Sequence, residues 1–423
     1  MKGYGYNVMN SGQILSIRIG TIKCRFNLDQ FMLFFFCAAN MHIFYLFPSN
    51  FLTRSLTFIW VIVWFVLADI GKINIRKLMR NSSFLILFFM LILIAANQSK
   101  RLYGQSFVMG LSPQRIAAAN ILVIIPIVVA IQRKSLDYEK IVSVIKIVVI
   151  IELFLCVVQF ITGSKVTFLH VLMYEHNGRM RIYANIVLME ILYFDILAKL
   201  FTGKCVNPKR NVLFLFMIAS YIILVAQHRS SILILIAIIA AAVFLWKKVT
   251  VGKVVIVCFI VIALVIFINS DYFFKICSAI INNTGTFMVR TNSRKFYIDK
   301  IGNNFFLGCG YANADYYNAY VYSGMSKGYL LADNGIYGYL FSYGLAGMIW
   351  YIIFLFQLLT EGIKSYLKTG NMFLILCLLF FILGSLTFSW FFEMEMISIS
   401  ITYALLLAIK SKKHDYISKT ENR

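Results

Sequence analysis

Apolar residues recur along the chain in runs long enough to cross a hydrocarbon core as helix, which takes about 17 to 25 residues at about 1.5 Å each. Windows of about 19 residues place twelve spans at 29–47, 51–70, 83–96, 116–131, 141–161, 184–200, 212–227, 231–246, 254–270, 336–359, 372–390 and 397–409. The third and the last are short for a crossing and read as tilted, extended or re-entrant. Residues 1–28 are polar and basic, and the first apolar run starts too late for a cleavable signal peptide, so this stretch reads as a tail. The predicted fold class is therefore all-α, a polytopic transmembrane helical bundle. Its parts are a tail at 1–28, spans one to nine in 29–270, a large external loop at 271–335, spans ten to twelve in 336–409 and a second tail at 410–423. The two halves share neither loop lengths nor charge placement, which speaks against a transporter built from two similar units.

Composition agrees with lipid as the solvent for this surface. The chain is 61% hydrophobic and only 13% charged, with a mean hydropathy of +0.82, more apolar surface than one soluble core of this length hides. A formal charge of +23 would suggest nucleic acid in a soluble chain, but here the position of each charge matters more than the total. Of the 40 basic residues, 25 sit in the two tails or in alternate short connections, such as Lys72, Arg76, Lys77 and Arg80, or Lys364 and Lys368. Basic residues in short loops stay on the cytoplasmic side, so both termini are expected there. The eight cysteines are scattered without CxxC or metal-ligand spacing, so neither a disulfide framework nor a metal site is expected. A single Cys277–Cys309 bridge is the one pairing the outer loop allows.

That orientation sends 97–115, 162–183 and 271–335 outward, and the last, at 65 residues, is the largest connection. A loop of this size without its own secondary structure is usually functional or disordered, and its Tyr and Phe content argues against disorder. It carries Arg290, Arg294 and Ile298 four apart, which a helix would put on one face. Basic groups gather here against the positive-inside tendency. One reading is that their guanidinium forks bind a diphosphate; the other is a solvated face of an interfacial helix. Arg229 lies at an outer turn, where a charge is costly unless it is paired, faces water or snorkels to the head groups. His228 beside it reads as a polar turn residue. Arg179 and Arg181 form a second external pair, suited to an acidic or phosphorylated glycan or to lipid head groups. Asp333, with Asn334, stands where it would cap the span that begins near Ile336, and it is also placed to take a proton from a sugar hydroxyl. Tyr297 is a further glycan-contact candidate. Glu152, Glu190 and Asp195 lie inside spans and would pair with Lys146 or Arg229, or form an ion path in a transporter. Glu393 and Glu395 read as solvated. Leu307-Gly308-Cys309-Gly310 reads as a tight turn that glycine permits.

The late large loop, Arg229, the loop arginines, Asn304-Phe305-Phe306-Leu307-Gly308-Cys309-Gly310, and Asp333-Asn334-Gly335 before Gly338, Tyr343-Gly344 and Gly347 together resemble the O-antigen polymerase and ligase superfamily, particularly Wzy-type polymerases. The likeness spans mainly residues 184–350. It implies an enzyme of a bacterial cytoplasmic (inner) membrane, with undecaprenyl-diphosphate-linked oligosaccharide as donor and a second lipid-linked repeat as acceptor. It implies no cofactor, no required metal and no nucleic-acid partner, and leaves room for a chain-length regulator. In this resemblance Arg229 with Arg290 or Arg294 holds the donor diphosphate, and Arg179, Arg181, Asn334 and Tyr297 contact substrate. Similar ligases carry a His where this chain has Asp333, a departure that favours a polymerase. The rivals are an O-antigen ligase and a flippase for lipid-linked repeats.

Overall fold

The computed structural model describes residues 14–19, 22–47, 51–68, 75–176, 179–246, 274, 278, 281–282, 286–387 and 393–421. The chain opens with an antiparallel hairpin, β1 (Ile14–Ile19) and β2 (Ile22–Asn27), paired from Ile14 with Asn27 to Ile19 with Ile22. Asn27 then caps α1 (Leu28–Asn40): its side chain accepts from the Gln30 N–H at 2.8 Å, and the Gln30 side chain accepts from the Asn27 N–H. This reciprocal box satisfies two N–H groups that a helix start leaves open.

The bundle continues through α2 (Phe51–Leu67), α3 (Ile75–Tyr103), α4 (Phe107–Leu111), α5 (Arg115–Leu122), α6 (Ile124–Gln132) and α7 (Tyr138–Thr162). A second hairpin follows, β3 (Leu172–His176) and β4 (Arg179–Tyr183), then α8 (Val187–Phe201), α9 (Pro208–Ser220) and α10 (Arg229–Leu245). After the stretch around 247–285 come α11 (Thr286–Ile301), α12 (Tyr317–Tyr322), α13 (Ile336–Thr369), α14 (Phe373–Gly384) and α15 (Ile397–Glu421).

Among the described residues five helical runs are long and apolar enough to cross a membrane: Leu78–Tyr103, Phe107–Gln132, Tyr138–Thr162, Pro208–Ala226 and Ile336–Thr369. Leu28–Asn40, Ser55–Leu67, Arg229–Leu245, Phe373–Gly384 and Ile397–Ser411 are apolar but shorter. The chain is thus a helical, multi-pass membrane protein. The span expected at 254–270 lies outside the described residues.

The third expected span ends at residue 96, whereas α3 runs on to Tyr103. Hydropathy falls at Asn97-Gln98-Ser99-Lys100-Arg101, but backbone hydrogen bonding carries the helix through. Gln98 and Ser99 turn inward and are buried there. Much of the outer segment expected at 97–115 is therefore helix.

The core is one large cluster in which α8 is central, with every side chain from Val187 to Ala198 buried. Of the two carboxylates of α8, Glu190 keeps a buried Oε1 without a hydrogen-bond partner among the described residues, and the pairing expected with Lys146 or Arg229 does not form for Asp195. Instead Asp195 accepts from the Tyr138 hydroxyl at 2.6 Å and meets Lys199 Nζ at 3.2 Å, while Lys199 also meets Glu139 at 2.7 Å. One turn of helix brings Lys199 to Asp195, which is cheaper than reaching across the bundle. Phe84 and Trp350 stack at 4.8 Å, and the Trp350 indole donates to the Phe84 carbonyl at 2.8 Å, fastening α3 to α13.

The large loop before α13 has a small core of its own. Tyr297, Ile301, Cys309, Ala312, Ala319 and Leu331 pack with Tyr103 of α3 and Phe341 of α13. Cys309 is a free, buried thiol, and burial pushes it up to about 12. The expected bridge is therefore not formed at Cys309; Cys277 lies outside the described residues.

Candidate functional site

Helix α13 breaks inside its first turns at Gly344, whose φ of 62° and ψ of −162° are non-helical. A break in a membrane helix strands backbone groups that lipid cannot satisfy. The 305–310 segment takes them up: Leu345 N–H donates to Phe305 O at 2.9 Å and Ala346 N–H to Phe306 O at 3.1 Å. In return Cys309 and Gly310 N–H donate to the carbonyls of Phe341 (2.6 Å) and Ser342 (3.2 Å). Two backbones approach this closely only without side chains between them. A Cβ on Gly308, at φ +76°, would lie 2.6 Å from Gly344 N and 2.7 Å from Ser342 O. The turn expected at Leu307-Gly308-Cys309-Gly310 is thus also a splice into a membrane helix, and it holds the loop at one end of the bundle.

On that frame α11 forms inside the stretch expected as a loop, which puts Arg290 and Arg294 one turn apart. Ser293, one turn after Arg290 and next to Arg294, donates to Asn334 Oδ1 at 2.6 Å, and Asn334 Nδ2 donates to Leu330 O at 2.7 Å. Asn334 is buried, with both ends of its amide in use. It therefore locks α11 to the short helical turn Ala332–Asn334 rather than capping α13, whose first-turn cap is Gly335 without a side-chain bond. Asp333 makes no cap either; it is exposed beside this lock. Tyr297 is fully buried and its hydroxyl donates to Tyr329 O at 3.1 Å. Burial and the nearby Asp333 carboxylate push that phenol well up. Tyr297 and Asn334, expected as substrate contacts, act here as struts beneath Asp333.

Arg294 crosses to α14, its Nη2 donating to Leu386 O at 3.0 Å with the guanidinium over the Tyr337 ring at 5.4 Å. Its Nε is buried without a hydrogen-bond partner among the described residues.

The β3–β4 hairpin brings the second basic group. Arg181 lies opposite Tyr174 and Tyr183 opposite Leu172, and the Arg181 guanidinium sits over the rings of Tyr174 (5.5 Å) and Tyr183 (5.7 Å). Arg181 Nε donates to Ala226 O at 2.8 Å, and Gln227 Nε2 donates to Met180 O at 2.9 Å. The hairpin is thereby latched to the turn that carries Arg229. That turn follows a π-helical stretch, Tyr221–Ala226, and holds Gln227 left-handed at φ +48°. Arg179 begins β4, and its side chain lies outside the described residues.

His228 marks where these elements meet. Burial, then the charges of Arg181 and Arg290, hold its imidazole down to about 4. Its Nδ1 lies 2.8 Å from Ser231 Oγ, and its ring faces Tyr183 at 6.4 Å. Tyr183 is pushed up to about 12 by burial, then by the carboxylates of Glu395 and Asp333. The charges of Arg181 and Arg290 thus act on His228, and those of Glu395 and Asp333 on Tyr183, whose ring faces His228, with Arg229 as the exposed first residue of α10. A cation at a helix N-terminus gains nothing from the helix dipole unless an anion shares the spot.

Glu395, expected to be solvated, is half-buried, and its charge acts on Tyr183. It follows 388–392 in a region of mixed hydropathy, and no local pattern points to it. The hairpin did leave a signal, because Asn177-Gly178 between alternating segments favours a two-residue turn.

The fold and site thus define a helical membrane protein with an arginine-lined cradle, containing carboxylates, at one end of its bundle. Residues 214–352, less than half of the chain, match the family model Wzy_C, O-antigen ligase. The match takes in Arg229, Arg290, Arg294, Asp333 and the Gly308–Gly344 splice. It supports the O-antigen ligase and polymerase superfamily, and with it membrane-bound polysaccharide assembly, without separating ligase from polymerase. No curated protein matches the chain.

Proposed function

We propose that this chain polymerises undecaprenyl-diphosphate-linked oligosaccharide repeats on the outer face of a bacterial cytoplasmic membrane. The observation that carries the reading is the hairpin latched to the His228–Arg229 turn, Arg181 donating to Ala226 O and Gln227 to Met180 O, with the Tyr183 ring facing His228; the charges of Arg181 and Arg290 act on His228 and those of Glu395 and Asp333 on Tyr183. An acceptor hydroxyl attacks the anomeric carbon of the donor sugar; the new glycosidic bond forms as the bond to the lipid diphosphate breaks. The hydroxyl proton goes to Asp333, and the departing diphosphate takes the bonding pair. Arg229, Arg290 and Arg294 neutralise the charge that builds on it, as planar forks suited to phosphate oxygens. Arg181, anchored through Ala226, holds the wall that keeps Arg229 in place. The reaction needs no nucleotide sugar.

Ligation of a finished chain to a different acceptor is the second reading, favoured by the description of the matching family. Asp333, where similar ligases carry a His, supports polymerisation. Purified protein given only a lipid-linked repeat tests the choice. A ladder of products is expected; a product only when a second acceptor class is added would establish the ligase, and movement of intact repeats between leaflets without new bonds would establish a flippase.

A further inference from the structure

The far end of the same bundle holds a cavity of about 610 Å³, within the usual range for ligand pockets of about 300–1,000 Å³. Its polar lining is Arg80, Asn81, Gln132, Gln357, Tyr403 and Lys410, drawn from α3, α6, α13 and α15. Arg80 stands 23 residues before Tyr103 on α3, so helical rise sets it about 34 Å from the outer loop core. Gln357 and Lys410 are likewise many turns from Asp333 and Glu395. By the sorting of basic residues, this is the end expected to face the cytoplasm.

Among the described residues no carboxylate lines the cavity. Arg80 forms no ion pair or hydrogen bond among the described residues. Lys410 lies 3.7 Å from Glu361, but that carboxylate already holds Lys364 at 3.1 Å. Positive charge therefore exceeds negative charge around a space between helices. Gln132, which lines the cavity, keeps its Nε2 buried without a hydrogen-bond partner among the described residues, a donor that an acceptor within the cavity would satisfy. The remaining wall includes Phe84 and Leu407, which suit a short apolar stem behind a charged group.

We propose that this cavity binds a phosphate-bearing anion, with the Arg80 guanidinium, the Lys410 ammonium and the Gln132 amide donating to its oxygens. The chemistry is shared by the head group of an anionic lipid and by free phosphate; basic pockets between membrane helices at the cytoplasmic surface suit the former. The site stands apart from the glycan chemistry and does not depend on it.

The full-length protein in phosphatidylcholine nanodiscs, with and without phosphatidylglycerol, and in phosphatidylcholine with inorganic phosphate, provides the test. Thermal midpoints and lipids retained in native mass spectrometry are the readouts. Phosphatidylglycerol is expected to raise the midpoint and to be retained preferentially, with that preference falling about tenfold or more in Arg80→Gln/Lys410→Gln. Exposed Lys368→Gln should leave it intact, and Gln132→Leu, which keeps both charges, should weaken it by a smaller factor. A midpoint rise with inorganic phosphate alone, lost in the same double variant, would support the site and assign it to a soluble anion. Equal retention of both lipids without any phosphate effect would overturn the proposal. So would a loss in Lys368→Gln equal to that in the double variant, which would mark general surface charge.

Discussion

Helices α3, α13 and α15 contribute to both ends of the bundle, and the two ends are built by different means. At the cradle end the helices are interrupted: α13 breaks at Gly344, a loop splices into it, and side chains from four separated segments are held by backbone contacts and buried amides. At the far end the helices are regular, and the polar residues simply line the gap between them. The difference matches what each is asked to do. Transition-state charge is stabilised by groups fixed in advance to within fractions of an ångström, since reorganisation costs rate. Binding an anion at a membrane surface asks only for excess positive charge, donors and room.

The largest expected effect lies at the cradle. Arg229→Ala/Arg290→Ala removes two partners of the departing diphosphate, each worth about 10²–10³ in rate. Long polysaccharide should vanish while single lipid-linked repeats accumulate, as read on a gel from cells that express the variant stably. Wild-type chain lengths would break the contrast between the two ends. Next comes Asp333→Asn, expected to slow elongation about 10²-fold with donor binding retained. A rate within a few-fold of wild type would move the base elsewhere, with Glu395, whose charge also acts on Tyr183, the next candidate.

Glycine substitutions sharpen the architectural side. Gly308→Ala drives a methyl into the backbone of Ser342 and Gly344 and should cost about 3 kcal/mol, the upper end for overpacking. Gly163→Ala, at φ +61° with open space around it, should cost about 1 kcal/mol, from backbone strain alone. Thermal midpoints of the two variants compare them directly. Equal midpoints would mean that the splice is not tight.

The smallest effect is a pH dependence at His228. Its folded pKa, about 4, lies below the ordinary 6.5, so the unfolded chain binds the extra proton between those values. The stability tied to its neutral form is present above about pH 6.5 and declines as pH falls toward 4. His228→Gln should flatten that part of a midpoint-versus-pH curve. An unchanged slope would mean that His228 is not buried beside these charges.

Much of the membrane architecture is legible in hydropathy, because lipid imposes a length on apolar runs wherever they occur. Gly308 foretold a turn, a local property of the backbone, whereas the spacing of Arg290 and Arg294 said only which face they would share if the stretch were helical. Other features passed unread. Lys410 and Arg80 counted only as orientation charges, and Glu395 as a solvated acid, until the packing of helices far apart in sequence gave each its neighbours. Asn334, expected at a substrate or a helix cap, became a strut because Ser293, 41 residues earlier, reached its oxygen first. By itself the sequence determined a lipid-embedded helical chain, the sorting of its charges and the identity of its arginines, since these follow from transfer energies and local spacing. Only the tertiary structure decided which arginines share a site with which carboxylates, where α13 opens to receive the loop, and where a gap remains between helices. Those depend on contacts between distant segments, which no local pattern encodes.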